Sequence, residues 1–85
     1  MGSRSILKDW VHDSLRKLGG RASVLDVAKF IWRHHEEDLR EAGDLFFTWQ
    51  YDFRWAATRL RKAGRLKSAK QSPTGIWELS ESPRR

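Results

Sequence analysis

Residues 46–55 read FFTWQYDFRW and run directly into AATRLRKAG. Six of the ten aromatic side chains of the chain lie in those ten positions. Phe47, Trp49, Tyr51, Phe53 and Trp55 alternate with Thr48, Gln50, Asp52 and Arg54, the period of a β-strand, whereas the residues that follow have the three- and four-residue spacing of a helix. On a helix, Trp49, Phe53, Ala56, Ala57, Leu60 and Ala63 fall on one face, with Thr48 as N-cap and Gly64 just past the C-terminal end. RLRKAG extends that period and nothing in it extends a period of two. The spacing predicts a third helix over about 49–63; a strand at 46–52 leading into a shorter helix is the alternative. On the helical reading the aromatics divide. Trp49 and Phe53 point inward, while Tyr51 and Trp55 lie on the outer side with Arg54, Thr58, Arg61 and Lys62.

The rest of the chain organises around that segment. Ile6, Leu7, Trp10, Val11, Leu15 and Leu18 form an amphipathic stripe, predicting a first helix over about 4–18, capped by Ser3 or Ser5 and stopped by Gly19-Gly20. Arg21-Ala22 can add a strand of two or three residues. Ser23, followed three residues later by Asp26, caps a second helix over about 24–35, with Val24, Val27, Ala28, Ile31 and Trp32 inward. An extra turn over about 36–42 is anchored by Leu39 and closed by Gly43. RLKSAK at 65–70 and IWELS at 76–80 are short strands around a QSPTG turn, with Leu66 facing Trp77 and Leu79. The 85 residues predict one domain, mainly α with a small antiparallel β-hairpin: a winged helix-turn-helix whose wing spans about 65–80.

Charge points the same way. The chain carries 17 Lys and Arg against 11 Asp and Glu, net +6. Residues 1–35 are net +4, residues 36–47 net −4 and residues 48–85 net +6. Residues 48–70 hold seven of the cations and one acid, Asp52. An oriented basic surface makes nucleic acid the first partner to consider and anionic membrane the second. No apolar run approaches the ~20 residues that span a bilayer, MGSRSILKDW has no signal-peptide core, and there is no cysteine. These features predict a cytoplasmic, DNA-associated protein or module with no membrane partner.

The run Trp55-Ala56, Leu60, Ala63-Gly64, Leu66, then Gly75 and Trp77, reads W-A-x-x-x-L-x-x-A-G-x-L followed by G-x-W. It resembles the N-terminal winged-helix domain of Mrr-type restriction proteins, as does LRKLGGRASVLDVAKFI before it, so that the likeness covers about residues 6–80. The crowding of aromatics before Trp55 departs from that pattern. It is similar instead to winged-helix modules of modification-dependent nucleases, including the DpnI-like readers of N6-methyladenine. The resemblance implies a double-stranded DNA reader linked to restriction or phage defence in a prokaryote or phage, with a fused or associated nuclease as a further partner. It also implies that Trp55 packs partly against the wing.

The expected DNA-binding residues are Gln50, Tyr51, Arg54, Trp55, Thr58, Arg61 and Lys62 on the third helix, with Arg59 at its edge, and Lys67 and Lys70 on the wing. Arginine binds guanine or phosphate bidentately and glutamine can pair with adenine. Tyr51 and Trp55 are placed to meet a base methyl in the major groove, N6-methyladenine ahead of 5-methylcytosine. Gln71, Ser72 and Thr74 can reach a minor groove or stay solvated. Arg4, Arg21, Arg84 and Arg85 add to the field alone. Two other roles stay open: a regulator indifferent to methylation, and a protein-interaction module using the acidic 36–44 segment and exposed aromatics. No metal or other cofactor is expected: His34 and His35 diverge by about 100° on a helix, and His34 with Asp38 supplies too few ligands. Ser, His and Asp occur without a nucleophile context or a phosphate loop, so no enzymatic activity is expected.

Overall fold

The 46–55 segment is helical throughout. In the computed structural model, which describes residues 3–68 and 70–80 with side chains from Ile6 onward, the elements run α1 (Ser3–Lys17), β1 (Arg21–Ser23), α2 (Val24–Arg40), α3 (Leu45–Lys62) and β2 (Ile76–Glu78). The expected caps at Ser3 or Ser5, and the side chains of Arg4, Arg84 and Arg85, lie outside the described residues.

α1 and α3 end where their glycines permit, whereas α2 ends on Glu41 at a φ of −93°. Gly19 and Gly64 both have positive φ, 95° and 79°. After α1, Gly20 N–H donates to Leu15 C=O at 2.6 Å and Gly19 N–H to Arg16 C=O at 3.3 Å. After α3, Arg65 N–H donates to Leu60 C=O at 2.8 Å and Gly64 N–H to Arg61 C=O at 3.0 Å. Both are Schellman ends, which satisfy the orphan carbonyls of the last turn. Ser23 caps α2 as expected, its Oγ accepting from Asp26 N–H at 3.0 Å. The expected break in α2 falls at His35, whose φ of −129° is non-helical. The Trp10 ring lies flat on the His35 imidazole at 4.0 Å, joining the kink to α1, and Leu39 is fully buried beyond it.

α3 differs from expectation at its start. It begins four residues early, at Leu45, and Thr48 is not its cap; Asp44 stands at the N-cap position and makes no side-chain capping bond. Leu45 is buried one turn before Trp49, so apolar burial carries the helix back past Thr48. Thr48 Oγ1 instead donates to Asp52 Oδ2 at 2.8 Å. α3 packs chiefly on α1. The core is formed by Leu7, Val11 and Leu15 of α1, Val27, Ile31 and Leu39 of α2, and Trp49, Phe53, Ala56, Ala57 and Leu60 of α3, closed by Leu66 and Trp77. Phe53 and Trp77 meet edge to face at 5.3 Å. Ile6 and Leu18, expected in the α1 stripe, are exposed; Ser14 is buried instead, with its hydroxyl donating to Trp10 C=O at 2.6 Å. Ala63, expected inward, is exposed at the end of α3.

The sheet also differs. Its two strands are β1 and β2, antiparallel, with Arg21 opposite Glu78 and Ser23 opposite Ile76. The expected hairpin between 65–70 and 76–80 contracts to a single bridge, Leu66 with Leu79, flanked by Lys67 N–H to Glu78 C=O at 2.9 Å and Ser80 N–H to Arg65 C=O at 3.0 Å. The chain turns away at Ser68: Gln71 N–H donates to Ser68 C=O at 2.9 Å, and Ser68 N–H to Gln71 Oε1 at 3.3 Å. Pro73 further along has no N–H with which to extend a ladder. The described fold is thus mainly helical with a small two-stranded antiparallel sheet.

Candidate nucleic-acid interface

Burial of Trp49, Phe53, Ala56, Ala57 and Leu60 fixes the rotation of α3 and therefore what faces out. Phe47, Tyr51 and Trp55, four residues apart, project from its outer side and are 82%, 66% and 54% exposed. The Tyr51 and Trp55 rings meet edge to face at 6.3 Å. The ring partner of Trp55 among the described residues is thus Tyr51 of the same helix, not an aromatic of the 65–80 segment. Arg54 and Lys62 are exposed on the same side, Gln50 is exposed at its border, and Thr58 is half-buried, its hydroxyl reaching the Arg54 carbonyl at 3.4 Å. Six of the nine expected residues thus share one surface.

The other three divide. Arg61 is half-buried, and its Nε–H donates to the Lys67 carbonyl at 3.2 Å, tying α3 to the 65–80 segment. Lys67, expected on phosphate, has its ammonium 3.2 Å from the Glu78 carboxylate, both side chains being largely covered. Lys70 is exposed in the turn, and Gln71 spends its carbonyl oxygen closing that turn. Sequence reasoning missed Phe47. Once Trp49 and Phe53 are assigned to the core, Phe47 falls beside Tyr51 at a separation of four; a helix started at Thr48 leaves it out.

Position along the helix separates the cations. Arg59, Arg61 and Lys62 occupy the last turn of α3, where positive charge complements the helix dipole, so their presence has a structural cause. Arg54, in mid-helix, has none of that kind. The border of the face beside Gln50 continues as an apolar groove lined by Leu25, Ala28, Trp32 and Trp49. Trp32 and Trp49 lie nearly parallel at 6.2 Å, and the Arg40 guanidinium covers Trp32 at 5.5 Å.

The acidic segment is partly neutralised from within: Arg40 pairs with Glu36 at 2.8 Å. His34 stacks on Phe30 at 4.1 Å, and it is His35, not His34, that approaches Asp38, at 3.7 Å. Among the described residues no group of three or more His, Cys, Asp or Glu is placed to hold a metal ion, and no helix is long and apolar enough to cross a membrane. Comparison with protein-family models, curated proteins and solved structures finds no match in any of the three.

Proposed function

We propose that the chain is a winged-helix module that binds double-stranded DNA, with α3 in the major groove and the 65–80 segment as the wing on the neighbouring backbone. The observation that carries this reading is the outer face of α3, where three solvent-exposed aromatics, Phe47, Tyr51 and Trp55, are interleaved with Arg54, Thr58 and Lys62. A protein of this size gains nothing in folding from aromatic surface left in water; against base edges that surface is buried while the cations meet phosphate. The Tyr51–Trp55 corner suits a methyl group projecting into the groove, N6-methyladenine before 5-methylcytosine. Burying one methyl contributes about 0.8 kcal/mol, roughly fourfold in affinity, and two methyls on a symmetric site roughly fifteenfold. The restriction or phage-defence setting, a fused or associated nuclease and a cytoplasmic location belong to the same proposal. They rest on the likeness of the Trp55–Trp77 motif to Mrr-type domains.

Fluorescence anisotropy with one duplex in three forms tests this: unmodified, N6-methylated at GATC, and 5-methylated at CpG. A tenfold or greater preference for a methylated form, about 1.4 kcal/mol, is expected. Equal binding to all three leaves a methylation-indifferent DNA-binding regulator. A protein-interaction module is the second reading, favoured by the 82% exposure of Phe47, and absence of duplex binding at low salt selects it.

A further inference from the structure

A second basic surface lies beside the α3 face, along the seam between α1 and the C-terminal half of α3. Lys8, His12 and Arg16, four residues apart on α1, line a groove together with Arg59 of α3 and Arg65 beyond it, over a floor that includes Leu60. The Schellman turn at Gly64 brings Arg65 back over this groove, through its N–H bond to the Leu60 carbonyl. Two carboxylates also line it, Asp9 and Asp13, and Asp13 is engaged with Lys17 at 3.6 Å. Among the described residues, the side chains of Lys8, Arg16, Arg59 and Arg65 are in no ion pair or hydrogen bond. Their charges repel one another. Partial burial, then the Arg65 and Arg16 guanidiniums, hold His12 below its usual value, with Asp13 and Asp9 pulling the other way.

Direction around α3 gives the groove its meaning. Arg61 reaches toward the wing and Arg59 toward the groove. At roughly 100° per residue these two lie about 160° apart around the helix. The face bearing Tyr51, Arg54 and Thr58 lies between them. A major groove about 12 Å wide is bounded by two phosphate backbones. With the wing on one of them, the α1–α3 groove stands beside the other.

We infer that the groove between α1 and α3 is a phosphate-binding site, held by Lys8, Arg16, Arg59 and Arg65, which takes the DNA strand on the side of α3 away from the wing. The strand assignment rests on the DNA reading above; the phosphate site does not. Guanidinium groups from separate elements can bind phosphate oxygens in pairs. An anion among them favours the charged imidazole, so phosphate binding is coupled to proton uptake by His12.

Two measurements test the inference. In the first, the His12 imidazole is titrated by NMR in inorganic phosphate and in chloride at equal ionic strength. The inference expects its apparent pKa to rise in phosphate, and the rise to vanish in Arg59→Gln/Arg65→Gln, with circular dichroism checking that the variant is folded. An unchanged His12 titration overturns the site, whatever the affinity for DNA. In the second, the same variant is bound to the unmodified duplex across a salt series. The log–log slope is expected to fall by about 1–2 units, near 0.9 for each phosphate that the variant no longer neutralises. A His12 response with an unchanged slope overturns the strand assignment and leaves a site for free phosphate. A His12 response from a protein that binds no duplex rejects the DNA reading and keeps the site.

Discussion

Phe47 and Phe53 are the same residue on the same helix, and the structure gives them opposite roles. Phe53 is 2% exposed and meets Trp49 at 5.7 Å and Trp77 at 5.3 Å. Phe53→Ala removes a fully buried ring and should cost about 3–5 kcal/mol, a large part of the ~4–13 kcal/mol typical of a domain this long. Phe47 is 82% exposed, so less than a fifth of its roughly 200 Å² is covered. At ~25 cal/mol per Å² that is at most about 1 kcal/mol, offset by the ~0.5 kcal/mol by which alanine is the better helix former. Phe47→Ala should therefore change stability by less than about 1 kcal/mol. Guanidinium unfolding followed by far-UV circular dichroism measures both, with Phe53→Leu as a milder variant should Phe53→Ala not fold. Duplex affinity should move the other way, weakened by Phe47→Ala while its unfolding midpoint stays near wild type. A Phe47→Ala loss equal to or larger than that of Phe53→Ala would refute the rotation assigned to α3, and with it the whole outer face.

Three further outcomes follow from particular residues. Gly64→Ala forces a Cβ into φ 79°, where it meets nothing within 4 Å; the cost is conformational, about 1 kcal/mol, seen as a fall in Tm of roughly 4–8 °C, and an unchanged Tm contradicts the Schellman end. Ser23→Ala removes the bond to Asp26 N–H and should lower stability by about 1 kcal/mol in denaturant unfolding, with Ser23→Asp restoring it. His12 has a folded pKa below its unfolded value, so the unfolded chain takes up the proton first. The stability that neutral His12 contributes is present above about pH 6.5 and is lost as pH falls through the folded pKa. His12→Gln should therefore flatten the decline in Tm over that window, and an equally steep decline in the variant would show that His12 is not its source.

The parts of the fold legible in the sequence are those governed by local rules. Three- and four-residue spacing placed Leu7, Val11 and Leu15, Val27 and Ile31, and Trp49, Phe53, Ala56, Ala57 and Leu60 in the core, and paired glycines or a single glycine marked the ends of α1 and α3. The start of α3 was not legible, because its cause is burial of Leu45 rather than a capping side chain, and a threonine close behind it offered a plausible but unused cap. The exclusion of Phe47 from the outer face followed from that error. The partner of β2 is a matter of tertiary pairing: Arg21–Ser23 lies far earlier in the chain, with α2 and α3 between, and no local pattern ranks it above the adjacent 65–70 segment. Lys67 read as a phosphate ligand because its nearest acid in space, Glu78, is eleven residues away. The α1–α3 groove was invisible for the same reason: Lys8, His12, Arg16, Arg59 and Arg65 gather only when α1 packs on α3 and the Gly64 turn folds Arg65 back.

The central claim, that the outer face of α3 with its flanking cations binds duplex DNA, is tested most directly by the salt dependence of affinity for an unmodified duplex. Phosphate neutralisation by Arg54, Lys62, Lys70 and the α1–α3 groove predicts a log–log slope steeper than about −3, at ~0.9 per phosphate. Absence of binding at low salt, or a slope near zero, would contradict it.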